Sequence, residues 1–177
     1  MATILLLSGP NLNLLGQREP AYYGTTTLDQ LVALARETAA KLGHELEHVQ
    51  SNHEGALIDA VHGARGRCGA IVVNAGAFSH YAFALADALV LFEGPKIELH
   101  LSNVLARPER WRHRSVLAPV VDGSIAGLKE TGYRIAIEAA AELLEASGRG
   151  AGIPRSSEPG PRGPARSAES ENMEKKK

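Results

Sequence analysis

The feature that most constrains this chain is the alternation of short apolar runs with longer segments of helical periodicity. Strands are predicted at Thr3–Ser8, Glu45–Gln50, Ala70–Val73, Lys96–Leu101 and, as a short fifth, Leu117–Val121. Ala70–Val73 contains no polar residue, which is typical of the centre of a parallel sheet, whereas the half-polar Glu45–Gln50 indicates an edge strand. Because strands and helices alternate with short links, we expect a right-handed, doubly wound α/β domain.

Helices are predicted between these strands from caps and apolar spacing. The first begins at Thr27, and Gln30 three residues later completes a capping box. Asn52 and Ser79 are expected to cap the next two helices. The last amphipathic helix is expected to extend from about Ile125 to Ala146.

The composition changes at Ser147, so we predict a folded domain of residues 1–146 and a disordered tail of residues 147–177. Gly, Pro, Ser, Arg and Glu dominate the tail, which has too few large apolar side chains to offset the entropy of ordering. A tether to a partner is an alternative role for the tail, but a solvated segment explains its composition better.

Charge, cysteine content and hydropathy exclude several classes of protein. The formal net charge is −1 over 177 residues, so no broad basic surface favours nucleic acid. The one cysteine, Cys68, can form neither an internal disulfide nor a paired-cysteine zinc site. The longest apolar stretch, Tyr81 to Phe92, is too short to span a membrane, and the N-terminus lacks the basic residues of a signal peptide. We therefore expect a cytoplasmic protein.

Polar side chains follow four of the predicted strands directly past their carboxyl ends. In a parallel sheet these ends lie at one edge, where open α/β folds bind their ligands. The residues of this group are Asn11, Asn52, His53, Asn74, Ser79, His80, His100, Ser102 and Asn103. Taken singly, Asn52, Ser79 and Ser102 are better explained as helix caps, and a loop histidine is often only solvated. As a group, they predict a site for a polar small molecule.

The loop after the first strand, from Gly9 to Gly24, contains Asn11, Arg18 and the tyrosines Tyr22 and Tyr23. Its glycines and prolines prevent regular structure. A cation close to a phenol stabilises the phenolate, so this loop can carry a base.

In the fourth predicted strand, Glu98 and His100 are two residues apart and therefore point to the same side of the sheet. A glutamate so placed can orient the imidazole and suit it to donate a proton, although an ion pair at a sheet edge explains the two residues equally well. The following segment, Arg107–Arg114, is dense in arginine. Its acidic neighbour and Trp111 favour a clamp for a carboxylate or hydroxyl over a nucleic-acid surface.

Asp87 lies in a predicted helix that is apolar on nearly every side. Such a helix is buried, and a buried carboxylate needs a partner. We therefore expect Asp87 at a subunit interface. The alternative is a single charge exposed at a rim.

No residue pattern favours a cofactor. Lys41, Lys96 and Lys129 lie on helices or at the far end of a strand, so imine chemistry is not expected. The sequence has no HExxH motif, no paired cysteines and no acidic cage for a metal. Gly9-Pro10-Asn11 is neither a P-loop nor a dinucleotide motif. The chemistry that remains without a cofactor or metal is proton transfer. A tyrosine base with a histidine acid suits β-elimination next to a carbonyl through an enolate.

Four motifs, GPNLNLLGQREPAYYG, QSNHEG, VNAGAFSH and IELHLSN, together resemble the type II 3-dehydroquinate dehydratases. The resemblance extends from about Ile4 to Leu144. It implies a flavodoxin-like five-stranded sheet of order 2-1-3-4-5 and a homododecamer built from four trimers. It also implies conversion of 3-dehydroquinate to 3-dehydroshikimate by anti elimination of water, without metal or imine, in the shikimate pathway or in quinate breakdown.

Carried over by motif, the resemblance implies a role for each catalytic residue. Tyr23 would remove the proton, Arg18 would keep its phenol ionised, and Asn11 would hold the enolate oxygen through a water. His100, oriented by Glu98, would protonate the departing hydroxyl. The Ser102 hydroxyl and the amides of Leu101 and Ser102 would hold the substrate carboxylate, and Asp87 would reach a neighbouring subunit's site. The side chains implied to bind the ring hydroxyls are Asn74, His80 and Arg112.

Two positions depart from a simple match. The chain has one residue more than the family pattern between Arg107 and Trp111, including Pro108. Arg112 is therefore placed by the aromatic-Arg-His-x-Ser pattern that begins at Trp111, and the contribution of Arg107 stays open. Tyr22 is the neighbouring phenol, but the family motif puts the base directly before the glycine.

Two other classes of protein are possible readings of the sequence. A non-catalytic flavodoxin-like module would need acidic residues or a hydroxyl-rich phosphate loop after the first strand, and Gly9-Pro10-Asn11 supplies neither. An inactive paralogue kept as a scaffold would be expected to lack Arg18, Tyr23 or His100, and all three are present.

Overall fold

Five parallel strands form a single sheet: β1 (Thr3–Ser8), β2 (Glu45–Gln50), β3 (Ala70–Asn74), β4 (Lys96–His100) and β5 (Gly123–Ala126). Their order is β2-β1-β3-β4-β5, which confirms the predicted flavodoxin-like, doubly wound sheet and the edge position of β2. This computed structural model describes residues 1–17 and 24–148, and the other residues lie outside it.

Four α-helices of the described residues cover the sheet: α1 (Leu28–Lys41), α2 (Glu54–Ala64), α3 (Phe83–Val90) and α4 (Lys129–Gly148). α1 and α4 pack on one face, and α2 and α3 pack on the other. Because successive strand residues point to opposite faces, Ile4 and Leu6 contact the first pair and Leu5 and Leu7 contact the second. The central strands are thus buried on both sides, and for that reason their sequences are unbroken apolar runs.

The helix starts match the prediction in one case and differ in two. Thr27 caps α1 in a reciprocal capping box with Gln30, as predicted. Asn52 makes no cap hydrogen bond to α2, because its side chain is hydrogen-bonded to the loop after β1 instead. α3 begins after Ala82, and the hydroxyl of Ser79 donates to a turn carbonyl three residues earlier at 2.7 Å.

The fifth strand and the last helix begin later than predicted. Residues 118–120 form a short 3-10 turn, and β5 follows it. Pro119 has no backbone N–H to donate to a neighbouring strand, which explains why the predicted strand Leu117–Val121 does not form. Ile125 lies in β5 beside Leu99 and not at the start of α4. An apolar residue at this position fits both the apolar stripe of a helix and the core-facing side of a strand. The spacing of apolar residues therefore does not distinguish a helix from a strand here.

The C-terminal helix α4 continues to Gly148, two residues past the predicted end of the domain. The rest of the predicted disordered tail lies outside the described residues. Within residues 1–17 and 24–148, no helix combines the length and the apolarity needed to cross a membrane.

The loops that follow β1 and β3 touch at the carboxyl edge of the sheet. The amide of Gly9 donates to the carbonyl of Asn74 at 2.8 Å. A Cβ at Gly9 would lie 2.2 Å from the carbonyl oxygen of Ala75, so only glycine permits this approach. The contact brings Asn11 and Asn74 to the same edge.

Candidate active site

A pocket opens at the carboxyl edge of the sheet, among the loops after β1, β3 and β4. Its lining includes seven predicted site residues: Asn11, Asn74, His80, His100, Leu101, Ser102 and Arg112. Apolar side chains of Leu12, Leu15 and Val104 also line it. The fold thus brings polar groups from three strand ends together, as a ligand site at this edge requires.

Two predicted site residues within the described chain, Glu98 and Asp87, do not line the pocket. Arg18 and Tyr23 lie outside the described residues, as does Tyr22. Glu98 contacts His100 and is buried beneath it, and Asp87 is exposed on α3.

Glu98 and His100 form a buried pair within β4. Nε2 of His100 lies 3.0 Å from Oε1 of Glu98, and the two residues are 7% and 1% exposed respectively. β4 lies between β3 and β5, so the alternative of an ion pair at a sheet edge is wrong. A buried imidazole–carboxylate pair of this kind orients the histidine ring.

Two serines that sequence reasoning did not assign to the site complete the contacts of Glu98. The hydroxyl of Ser115 donates to Oε1 at 2.6 Å, and that of Ser124 donates to Oε2 at 3.2 Å. Burial alone would raise the pKa of Glu98, but the hydrogen bonds from His100, Ser115 and Ser124 outweigh burial and lower it. Glu98 is therefore a carboxylate at neutral pH.

Asn74 is held at both ends of its amide. Its Nδ2 donates to the hydroxyl of Tyr133 at 3.0 Å, and its Oδ1 accepts from the amide of Gly76 at 3.3 Å. Tyr133 is fully buried on α4, and burial raises its pKa to about 12. Sequence reasoning missed this tyrosine. Its place on the apolar stripe of α4 was the available signal, because a buried phenol needs a hydrogen-bond partner.

Trp111 positions two pocket residues. Its ring lies 4.2 Å from the Cζ atom of Arg112, in cation–π geometry, and packs edge-to-face on His80 at 5.1 Å. His80 also stacks on His100, with ring centroids 6.2 Å apart, and its Nδ1 lies 2.7 Å from the Arg114 carbonyl. Burial is the main cause that lowers the pKa of His80, so its ring is neutral at neutral pH.

Arg107 does not line the pocket. It is 5% exposed, and its guanidinium binds the Glu109 carboxylate at 3.2 and 3.3 Å. The hydrogen bond from Arg107 is the main cause that lowers the pKa of Glu109 to about 2. Of the two arginines, Arg112 lines the pocket and Arg107 does not.

Asn11 has a left-handed backbone, with φ of +64°, which asparagine tolerates better than most residues. Its amide donates to Oδ1 of Asn52 at 2.9 Å, and the same oxygen accepts from Gln50 at 3.2 Å. Asn52, predicted as a helix cap, instead holds the pocket loop that carries Asn11.

The helix that carries Asp87 exposes an apolar face. Phe83, Val90 and Leu91 are 63%, 56% and 49% exposed. Asp87 is also exposed and not buried within the single chain. Apolar side chains exposed together on one face indicate a contact with another protein.

Among the described residues, no three His, Cys, Asp or Glu side chains gather as a metal site would require.

Comparison with known proteins identifies the family. The family profile described as Dehydroquinase class II matches residues 2–141. The 3-dehydroquinate dehydratase of Anoxybacillus flavithermus is 51% identical over 149 residues, which are 84% of this chain and 100% of that protein. The catabolic 3-dehydroquinase 2 of Aspergillus flavus is 53% identical over 144 residues, which are 81% of this chain and 95% of that protein.

A solved structure agrees with these relatives. The type II dehydroquinase of Propionibacterium acnes superposes with a TM-score of 0.76 at 44% sequence identity, over 80% of this chain and 97% of that one. These matches confirm the resemblance drawn from the four sequence motifs. With a profile match over most of its length and relatives at half identity, this chain belongs to the dehydroquinase class II family of hydro-lyases.

Proposed function

We propose that this protein converts 3-dehydroquinate to 3-dehydroshikimate by anti elimination of water through an enolate. The observation that carries the proposal is the pocket itself. In it, His100, held by the buried carboxylate of Glu98, lies in one cavity with Asn11 and Asn74. The names of the relatives, 3-dehydroquinate dehydratase and 3-dehydroquinase, support the substrate.

In this mechanism Tyr23 removes the proton next to the carbonyl. A free tyrosine has a pKa of about 10, so the guanidinium of Arg18 is needed to keep the phenol ionised near neutral pH. Asn11 stabilises the enolate oxygen through a water. Such a hydrogen bond contributes most to catalysis when it stabilises negative charge that develops only in the transition state.

His100 then protonates the departing hydroxyl, and the Glu98 carboxylate orients the imidazole ring of His100. The carboxylate of the substrate would bind the amides of Leu101 and Ser102 and the Ser102 hydroxyl. Its ring hydroxyls would bind three side chains of the pocket: Asn74, His80 and Arg112.

The test is to add 3-dehydroquinate and follow the conjugated enone by ultraviolet absorbance. Wild type is expected to produce a steady rise, and Tyr23→Phe is expected to reduce kcat by about 100-fold or more, as for loss of a general base. Tyr22→Phe, the matched control, should retain activity. No rise with wild type refutes the function and favours the non-catalytic module. Full activity of Tyr23→Phe with loss in Tyr22→Phe moves the base to Tyr22.

A second arm separates this chemistry from an imine mechanism. Borohydride reduces an imine between a lysine and the substrate, and so inactivates enzymes that form one. We expect borohydride to leave the activity unchanged when substrate is present. Inactivation that requires substrate would contradict the tyrosinate mechanism.

We further propose that the chain assembles as a homo-oligomer, a dodecamer of four trimers. The exposed apolar face of α3 supports this assembly, and Asp87 on that face would contribute to a neighbouring subunit's pocket. Relatives named for catabolism and relatives named for the dehydratase alone match equally well, so either pathway is open to this enzyme. A cytoplasmic location stays a prediction, which cell fractionation tests.

A further inference from the structure

Ser115 has three hydrogen-bond partners that together fix the direction of its hydroxyl hydrogen. Its Oγ accepts from the amide of Leu117 at 3.0 Å and from that of Ala118 at 3.2 Å. The same oxygen lies 2.6 Å from Oε1 of Glu98. A serine hydroxyl has two lone pairs and one hydrogen. Because the two amides occupy the lone pairs, the hydrogen is directed at Glu98.

This direction determines which atom donates between Glu98 and His100. Oε1 of Glu98 receives the hydrogen of Ser115, and Oε2 receives that of Ser124. Hydrogen bonds to both oxygens stabilise the ionised form of the carboxyl group, and an ionised carboxylate only accepts. Nε2 of His100, 3.0 Å from Oε1, must therefore carry a hydrogen.

The backbone around Ser115 keeps the residue in place. The Arg114 carbonyl lies 2.7 Å from Nδ1 of His80, and the amide of Val116 donates to the Ser79 carbonyl at 2.7 Å. Ser115 thus lies between two contacts with the turn that follows β3. These contacts fix the backbone of Ser115, and its hydroxyl cannot rotate away from Glu98 without breaking the hydrogen bonds from Leu117 and Ala118.

We propose that Ser115 is a positioning residue that keeps the neutral His100 ring protonated on Nε2 and leaves Nδ1 as the nitrogen available to the pocket. The assignment of the tautomer stands apart from the proposed function, and only its kinetic consequence rests on the proposed dehydration. In that reaction the imidazolium of His100 gives its Nδ1 proton to the departing hydroxyl. The N–H bond and the carbon–oxygen bond break, a new O–H bond completes the departing water, and the electrons of the enolate form the carbon–carbon double bond as the carbonyl is restored. The ring ends neutral and still donates from Nε2 to Glu98.

The direct test is 15N NMR of the histidine rings in the wild-type protein, with the His100 signals assigned by their loss in His100→Gln. We expect neutral His100 to carry its hydrogen on Nε2. A neutral ring protonated on Nδ1 overturns the proposal, whether or not any variant folds or any substrate is turned over. In folded Ser115→Ala we expect the Nδ1 form to gain population, because Glu98 loses a hydrogen bond that stabilises its ionised form, and an unchanged ratio of the two tautomers would also overturn the proposal.

Kinetics provide the second readout. Ser115→Ala is expected to lower kcat by about 10- to 100-fold, the effect typical of a lost hydrogen bond to a charged group, with little change in KM and an altered pH profile of kcat. Ser115→Thr, which retains a hydroxyl, should recover most of the rate. Ser147→Ala, at the exposed end of α4, is the matched control with wild-type rates expected. A Ser115→Ala enzyme with the wild-type kcat and pH profile refutes the role of Ser115. A wild type inactive on 3-dehydroquinate refutes only the function.

Discussion

At the residue scale, the pocket depends on polar side chains whose partners lie far away in sequence. Asn74 illustrates this, because its amide is oriented by Tyr133, 59 positions later on α4. Glu98 likewise receives hydroxyl hydrogens from Ser115 and Ser124, which follow it by 17 and 26 positions. These partners hold the polar groups of the pocket in fixed directions, so substrate binding does not have to order them.

Tyr133→Phe is the residue-scale prediction. The substitution removes the hydroxyl that accepts from Asn74 and leaves a buried amide donor without that partner. We expect the free energy of unfolding to fall by about 1–2 kcal/mol, and KM for the substrate to rise. Urea denaturation and steady-state kinetics measure the two effects. Tyr81→Phe, at an exposed tyrosine, is the control, and equal stability of the two variants would contradict the account.

At the element scale, most of the sheet could be predicted because the central strands are buried on both faces, where alternation gives way to continuous apolar runs. The fifth strand could not be located from apolar spacing, since Ile125 fits a helix or a strand. Its position follows from long-range pairing with β4. The group of polar side chains at the carboxyl edge of the sheet could be predicted from the residues that directly follow each strand. The roles of Ser115 and Tyr133 depend on long-range contacts that no local sequence pattern encodes.

Gly9→Ala tests the contact between the loops after β1 and β3. The added Cβ would lie 2.2 Å from the Ala75 carbonyl oxygen, so one loop has to move. We expect a loss of about 2 kcal/mol or more in unfolding free energy, together with reduced activity, because Asn11 moves relative to Asn74. Gly63→Ala on α2, where a Cβ meets nothing within 4 Å, is the control. It should be neutral or stabilise by up to about 1 kcal/mol. A Gly9→Ala enzyme as stable as this control would contradict the contact.

At the scale of the whole molecule, the exposed face of α3 predicts the assembly. Phe83→Asp places a charge in the proposed interface and is expected to reduce the particle to smaller species in light scattering after size exclusion. Leu42→Asp, at an apolar residue that is 42% exposed on another part of the surface, should leave the wild-type mass unchanged. Asp87→Ala should lower turnover through the neighbouring pocket. Wild-type assembly and turnover in both α3 variants would count against the interface.

Stability should also depend on pH through two half-buried imidazoles. Burial is the main cause that lowers the pKa of His48 and of His80 in the folded chain. As pH falls through about 6.5, the unfolded chain therefore takes up protons before the folded one does, and the unfolding free energy decreases. The loss ends below the lowered folded pKa values. Urea titrations from pH 8 to pH 5 at one chain concentration measure it, and His48→Gln should flatten the curve. Stability that rises as pH falls in this range would contradict the assignment.

In the proposed mechanism, the guanidinium of Arg18 keeps the phenol of Tyr23 ionised so that the phenolate can remove a proton from carbon. The most direct measurement is 13C NMR of the protein labelled at the tyrosine ring carbon bonded to oxygen, recorded against pH, with the Tyr23 signal assigned by its loss in Tyr23→Phe. We expect this signal to titrate well below the ordinary tyrosine pKa of about 10, and Arg18→Ala to return it toward that value. A Tyr23 signal that ionises only in strong alkali, with substrate analogue present or absent, would contradict it.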